Sequence, residues 1–522
     1  MQYRAAGDEG RPQDTPPDFP FRIACTGQPS GEEWTATAAM NRGWGSKSQE
    51  PSVLNDTADG GAMAVDQHAL RDLSVPADAR DSVPLHVVLL LAAVAGALLA
   101  QGAYYREAQW PVAVLLAGAL IVAVRAHPWS LADSRFPPLV VCALLAGWAM
   151  VRAAAAGHVG DGMGVVAMLA GVAATVVVAR RTTDVDATGA GVVALGVLTA
   201  MTGWIGLAWR ISPWALLDGG LWRAATTVTY ANAAAGVLAA VTLVAVGRLV
   251  ARPDSHPTAL SVCLLFTGLG ATLSRGGMLA FAVGGLLLAA LLGVRSVARA
   301  VLAPGMGAAV ALAGLVPSMS AGSSRNPLLA SVALMAGLGV TSWLVSGGRG
   351  RRRAVLVATV SIVLGAGIVA GDGWDSATAV RERRFTAASP DRTNAVRAAF
   401  RLVGEHPLVG VGPGRATLSW TSRDGTTLVA RYAHNEYLQL LVELGAVGLV
   451  LLLGLMVAVA RAVLRARQRH PSDQLWAGAT AGLLALAVGS GVDFLWHVPA
   501  VPLVSALLFG ITVPNAKEKN QL

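Results

Sequence analysis

The chain has 522 residues, of which 54% are hydrophobic and 14% charged, with mean hydropathy +0.55 and a formal net charge of +9. Such a composition excludes a water-soluble globule and indicates a polytopic membrane protein. Its three cysteines, Cys25, Cys142 and Cys263, offer neither a disulfide framework nor a zinc spacing.

Residues 1–80 carry seven basic and twelve acidic groups and are rich in Gly, Pro, Asp and Thr without apolar period, so a disordered cytoplasmic tail is expected there. Removing that net −5 from +9 leaves +14 on residues 81–522, which are expected to form the transmembrane domain. The first long apolar run begins at Val83, so no cleaved signal peptide is expected. Lys is scarce relative to Arg, as in GC-rich coding sequences, and Met63 is an alternative start.

A spanning helix needs about 20 apolar residues to cross about 30 Å of hydrocarbon. Fourteen such runs follow, centred near residues 94, 118, 147, 170, 198, 240, 265, 286, 308, 336, 363, 449, 483 and 505. The second, seventh and thirteenth are short, which gives an all-α protein of 12 to 14 transmembrane helices. Short cytoplasmic loops collect arginine. Alternate loops here do so: Arg125 and Arg135, Arg180 and Arg181, Arg248 and Arg252, Arg295 and Arg299, Arg349 with Arg351 to Arg353, and Arg461 to Arg469. The pattern places both termini in the cytoplasm and residues 373–437 outside, as the one large extracytoplasmic loop. It also explains the high pI without a nucleic-acid partner.

The polar motifs on that outer side come in chain order. Arg223 lies in Trp222-Arg223-Ala-Ala-Thr-Thr-Val-Thr-Tyr230-Ala-Asn232, just before the sixth run. Arg275 lies in Thr272-Leu-Ser274-Arg275-Gly276-Gly277, where two glycines would permit a tight turn and close backbone approach to a phosphate. Read alone, each is also what an interfacial arginine looks like. The large loop contains Pro390 to Pro407, a predicted short helix with Ala395, Ala399 and Leu402 on one face, and with Arg392, Arg397 and Arg401 spaced so that at least two share a side. Gly410, Gly412 and Gly414 follow in Val-Gly-Val-Gly-Pro-Gly, a turn expected to expose backbone amides but lacking the context of a dinucleotide or phosphate loop. His434-Asn435-Glu436-Tyr437 then enters the twelfth run, with Gln439 and Glu443 behind it. Glu443 at the start of a span is costly unless it faces protein or water.

The His406 to Gly414 and Ala433 to Gly448 runs together resemble the C-terminal region of the O-antigen ligase and O-antigen polymerase family, membrane glycosyltransferases that take glycans from a polyprenyl diphosphate. The Ser274-Arg275-Gly276 motif and the Arg223 to Asn232 spacing are similar to two further family elements. Where the family has a tryptophan four residues after the loop arginine Arg392, this chain has Val396. The resemblance implies a C-type, all-helical fold in the cytoplasmic membrane, a polyprenyl-diphosphate-linked oligosaccharide donor, a glycan or lipid-linked hydroxyl acceptor, and no metal or other cofactor. It assigns His434 as the base, and Arg275, Arg223, Arg392, Arg397, Arg401, Asn435 and Glu436 to the diphosphate and glycan. Ligase, polymerase and protein oligosaccharyltransferase remain open alternatives. Asp493 and His497, four apart at the outer end of the last run, could hold a metal with His434 or His406, but no His-Glu-x-x-His or comparable spacing occurs and the resembled family needs no metal ion, so a hydrogen bond between the two is expected. The rival class is a transporter or flippase, which would place ionisable groups near the bilayer midplane. The span centres here contain almost none.

Overall fold

The computed structural model describes residues 83–128, 135–346, 376, 378–380, 390–421, 426–469 and 473–515, all within one unit. The expected tail, residues 1–80, and the expected eleventh span near residue 363 lie outside the described residues. Ten helices precede that gap: α1 (Leu85–Leu99), α2 (Arg106–Ala126), α3 (Pro137–Ala155), α4 (Val159–Ala179), α5 (Val185–Trp209), α6 (Ala231–Ala251), α7 (His256–Ala271), α8 (Arg275–Leu292), α9 (Val294–Leu315) and α10 (Pro327–Val345). The amphipathic α11 (Pro390–Glu405) follows, then α12 (Glu436–Arg469), α13 (Gln474–Ser490) and α14 (Ala500–Thr512). Thirteen of the fourteen expected centres therefore fall in helices. Nine of these helices are long and apolar enough to cross a membrane, and four apolar ones are shorter. The run near residue 118, expected to be short, forms the 21-residue α2. Among the described residues the only paired strands are two small antiparallel hairpins, β1 (Ala215–Asp218) with β2 (Leu221–Ala224) and β3 (Leu418–Thr421) with β4 (Thr427–Ala430). The protein is all-α and multi-pass.

Helix starts follow local chemistry. Side chains of Asp184, Ser255, Ser274, Asn326 and Asp473 accept from the backbone N–H three residues on, satisfying donors that the helix leaves open. α6 is apolar all round and rich in Ala, and it is buried along nearly its whole length, so it forms the central post of the bundle. Small residues let neighbours approach it closely: a Cβ on Gly277 of α8 would collide with Ala235, and one on Gly478 of α13 would sit 2.8 Å from the Leu243 carbonyl.

α6 also defines two ends. Asn232 in its first turn bonds to Asp493, whereas Arg248, about four turns on, pairs with Asp186 at 2.7 Å. Ser346 after α10 bonds to His256 at the Arg248 end, while Arg392 of α11 reaches Asp493 at the other. The residues flanking the expected eleventh span thus stand at opposite ends.

α12 is broken at Gly445 (φ 68°, ψ −170°), a conformation open essentially to glycine alone. A break inside a span leaves backbone groups that lipid cannot satisfy. The 406–412 loop repairs the ladder: Val411 and Gly412 N–H donate to the Val442 and Glu443 carbonyls at 2.9 Å, and Ala446 N–H donates to Pro407 O at 2.9 Å. α3 supports the patch, with Trp148 Nε1 donating to Leu444 O (2.9 Å) and Arg152 to Val409 O (2.8 Å) and Gly410 O (3.1 Å). The Gly-rich run is therefore a splice for a broken helix, and its amides are not exposed as expected from sequence.

A Cβ at Gly445 would collide with the Leu408 carbonyl. Gly445→Ala is expected to destabilise the protein by about 1–3 kcal/mol or more through the unfavourable φ and this clash, read as a lowered Tm in detergent; an unchanged Tm would refute the splice.

Candidate active site

The N-terminal end of α6 gathers polar groups from five segments around one buried carboxylate. Asp493, in the α13–α14 connection, is 3% exposed. Its Oδ1 accepts from Tyr230 OH (2.8 Å), His434 Nδ1 (2.9 Å) and the Phe494 N–H (2.9 Å). Its Oδ2 accepts from Asn232 Nδ2 and, at 3.4 Å, from Arg392. Burial alone would push this carboxyl up, but the hydrogen bond and charge of His434, the charge of Arg392 and the Phe494 amide outweigh it and hold its pKa at about 2. Ionised, Asp493 can only accept. The His434 proton therefore sits on Nδ1, which leaves the Nε2 lone pair of the neutral ring as the acceptor.

His434 is 12% exposed and adopts φ +52°, an uncommon conformation that His tolerates better than most residues. Asn435 next to it caps α12, its Oδ1 accepting from Leu438 N–H at 3.0 Å. Glu436 is buried and accepts from the Trp496 amide and from His497 Nδ1 at 3.2 Å. Asp493 and His497 thus take separate partners, His434 and Glu436, where the sequence favoured a bond between them. Burial would lower the His497 pKa, but the Glu436 charge and hydrogen bond, with Glu443 beyond, raise it above the usual histidine range despite Arg431.

Arg223 lies on β2, whose hairpin turns through Gly219 and Gly220, both at positive φ. It is buried, and its guanidinium donates to Thr272 O (3.0 Å), Asp218 (2.7 Å) and Asn232 Oδ1 (2.7 Å). Ser274 Oγ donates to the same Asn232 oxygen at 3.0 Å. A continuous chain of polar contacts therefore runs from Asp218 through Arg223, Asn232 and Asp493 to His434.

Arg275 is exposed and opens α8. Gly276 and Gly277 lie inside the first turn of that helix, where they admit Val492 and Ala235; the tight turn expected from them is made instead by Leu273 at φ +50°. Arg392, 39% exposed, also donates to Val492 O at 3.4 Å, so the Arg275 and Arg392 segments flank the same residue. Arg397 and Arg401 share the exposed side of α11, whose other face buries Ala395, Ala398 and Ala399, and Arg401 donates to Ser419 O at 2.7 Å. Glu443 accepts from Gln439 Nε2 (2.7 Å) and Gly414 N–H (3.0 Å), and so faces protein.

The structure brings together His434, Arg392, Asn232, Arg223 and the unforeseen orienting group Asp493; Asn435 and Glu436 are spent on backbone and His497. From sequence Asp493 was read as a possible metal ligand with His434 or His406, or as a hydrogen-bond partner of His497, and not as the hydrogen-bond partner of His434. Chemically the site offers an imidazole with a defined acceptor nitrogen, beside arginines that can meet an anion.

Residues 319–453, about a quarter of the chain, match the family model described as O-Antigen ligase. No curated protein matches the chain significantly. The matched stretch holds Arg392, the glycine splice, His434 and the Gly445 break, while Arg223, Arg275 and Asp493 fall outside it. The sequence resemblance and this match agree, and the chain carries an O-antigen ligase family domain within a multi-pass helical membrane protein.

Proposed function

We propose that the protein transfers or polymerises glycan from undecaprenyl diphosphate onto a sugar or other hydroxyl acceptor at the outer face of the cytoplasmic membrane, with His434 as general base. The observation that carries this reading is the His434 Nδ1–Asp493 hydrogen bond, which leaves Nε2 to take a proton. The acceptor O–H gives its proton to Nε2 as the acceptor oxygen bonds to the anomeric carbon of the donor. The bond from that carbon to the diphosphate oxygen breaks, and its electron pair leaves on polyprenyl diphosphate. Arg275 and Arg392 are the arginines best suited to neutralise that charge, because planar forks donate in pairs. Arg223, buried and engaged with Asp218 and Asn232, supports them by fixing Asn232 and the Asp493 carboxylate. Arg397 and Arg401, on the solvent side of α11, stand where the glycan or lipid headgroups would approach. A carrier is disfavoured, since the described spans hold their charges at their ends, apart from Glu443, which is paired at the α12 break.

His434→Ala is expected to lower turnover by about 10²- to 10⁴-fold, with lipid-linked donor accumulating in cells at normal protein level. Retained activity would sink the assignment.

Arg275→Lys keeps the charge but not the fork, and should lose most activity while inserting normally. Full activity in this variant would reduce Arg275 to an interfacial anchor.

Orientation is tested with reporters. One fused near Gly425 should be active only outside the cytoplasm and one near Gly350 only inside; the reverse at either site overturns the placement of the loop.

A further inference from the structure

Two segments far apart in sequence are joined twice at this site. His434 binds Asp493, and two residues on, Glu436 binds the Trp496 amide and His497 Nδ1, three and four residues beyond Asp493. Between the two links the rings form a continuous stack: His434 meets Phe494 edge-on (centroids 5.1 Å), Phe494 stacks on Tyr432 (4.6 Å), and Tyr432 packs on His497 (4.5 Å). His434 itself sits in the left-handed region, so its own backbone does not hold the ring in place; surrounding contacts must over-determine it.

We propose that Glu436 and His497 are positioning residues for His434: their link pins the start of α12 to the α13–α14 connection and so sets the distance and angle between the imidazole and Asp493. Glu436, at 2% exposure, is closed off from substrate and acts only through this link. The link is charge-assisted: burial and Arg431 oppose a charge on His497, but Glu436 beside it and Glu443 behind outweigh them. Its contribution is complete below the ordinary histidine range and is lost as pH rises through the raised His497 value. A base displaced by about 1 Å can lose on the order of 10²-fold in rate, which is the scale on which a remote clamp of this kind would be felt.

The inference rests on the reading of His434 as base, and the test separates the two. Turnover is followed as release of polyprenyl diphosphate from donor lipid extracted from cells lacking this gene. His497→Phe keeps the ring packed on Tyr432 but removes the donor, and should lower kcat about 10- to 100-fold with little change in KM. His497→Asn places an amide N–H near the Nδ1 position and should recover most of the loss; Glu436→Ala and Glu436→Gln should form a parallel pair. The double variant His434→Ala/His497→Phe should be no slower than His434→Ala, because both act on one group. Wild-type kcat in His497→Phe, equal loss in His497→Asn, or an additive double variant would each overturn the inference. If His434→Ala is inactive while His497→Phe keeps full kcat, this inference alone falls; if His434→Ala is active, the base assignment falls and takes it along. Should Glu436→Ala fail to accumulate, the His497 pair decides.

Discussion

A carboxylate buried beside the ends of membrane helices is the constraint around which the rest of this structure is arranged. Withdrawing an ion from water costs on the order of several kcal/mol unless its lone pairs are filled and its charge is matched. Asp493 meets that demand with partners from four other places in the chain: Tyr230 before α6, Asn232 in it, Arg392 on α11 and His434 before α12. Each partner is then fixed by a further contact, Asn232 by Arg223 and Ser274, and Arg392 by the Val492 carbonyl. The ion is stable only because these segments converge, and the segments converge in this geometry because the ion demands it. Removing one partner would leave charge uncompensated, so the network favours one arrangement over a family of similar ones.

Strain is distributed accordingly. The described non-glycine residues with positive φ are Gln101, Ala103, Arg210, Thr226, Thr229, Leu273 and His434, and all lie in connections at the end of the bundle that holds Asp493. Thr226 and Thr229 are β-branched and buried, which makes that conformation more costly for them than for His434. Among the described residues, the opposite end, with Arg248 and Asp186, has a glycine, Gly293, at positive φ. Conformations this costly persist where packing forces them, and they collect where geometry is specified for a task rather than for stability.

Hydropathy made most of the fold legible, since a 20-residue apolar run admits few structures in lipid. Thirteen of the expected helix positions follow from that alone, and the arginine alternation matches the two ends that α6 defines. What hydropathy could not give was how loops are used. Gly410 to Gly414 reads as an open turn because sequence shows what a glycine permits, not what its amides bind; the partner is a break at Gly445, inside a run that looks uniformly helical. Similarly, Gly276 and Gly277 read as a turn, although their neighbours in space, Ala235 and Val492, require small residues within a helix. His434 and Arg392 were singled out from sequence as rare polar types at an expected membrane boundary, and the structure brings both to Asp493. The role of Asp493 was not legible, because an acid near the end of a span is equally compatible with a metal, a cap or an ion pair, and the choice depends on contacts 59 and 101 residues away.

The break in α12 links these observations. A straight helix through Gly445 would have satisfied its own backbone and needed no loop against it. By unwinding there, the chain ties the 406–412 loop, and with it α11, to the same helix that begins two residues after His434. Arg392 on α11 and the imidazole before α12 then reach Asp493 from two sides while both are anchored to one element. Glu443, at the break, is filled by Gln439 and Gly414, so this acid within an apolar helix is held in protein rather than offered to a transported ion. Arg275 is exposed and Arg392 part-exposed at this end of the bundle. For the transfer proposed above, an anionic leaving group would need cations so placed, with a base held beside them.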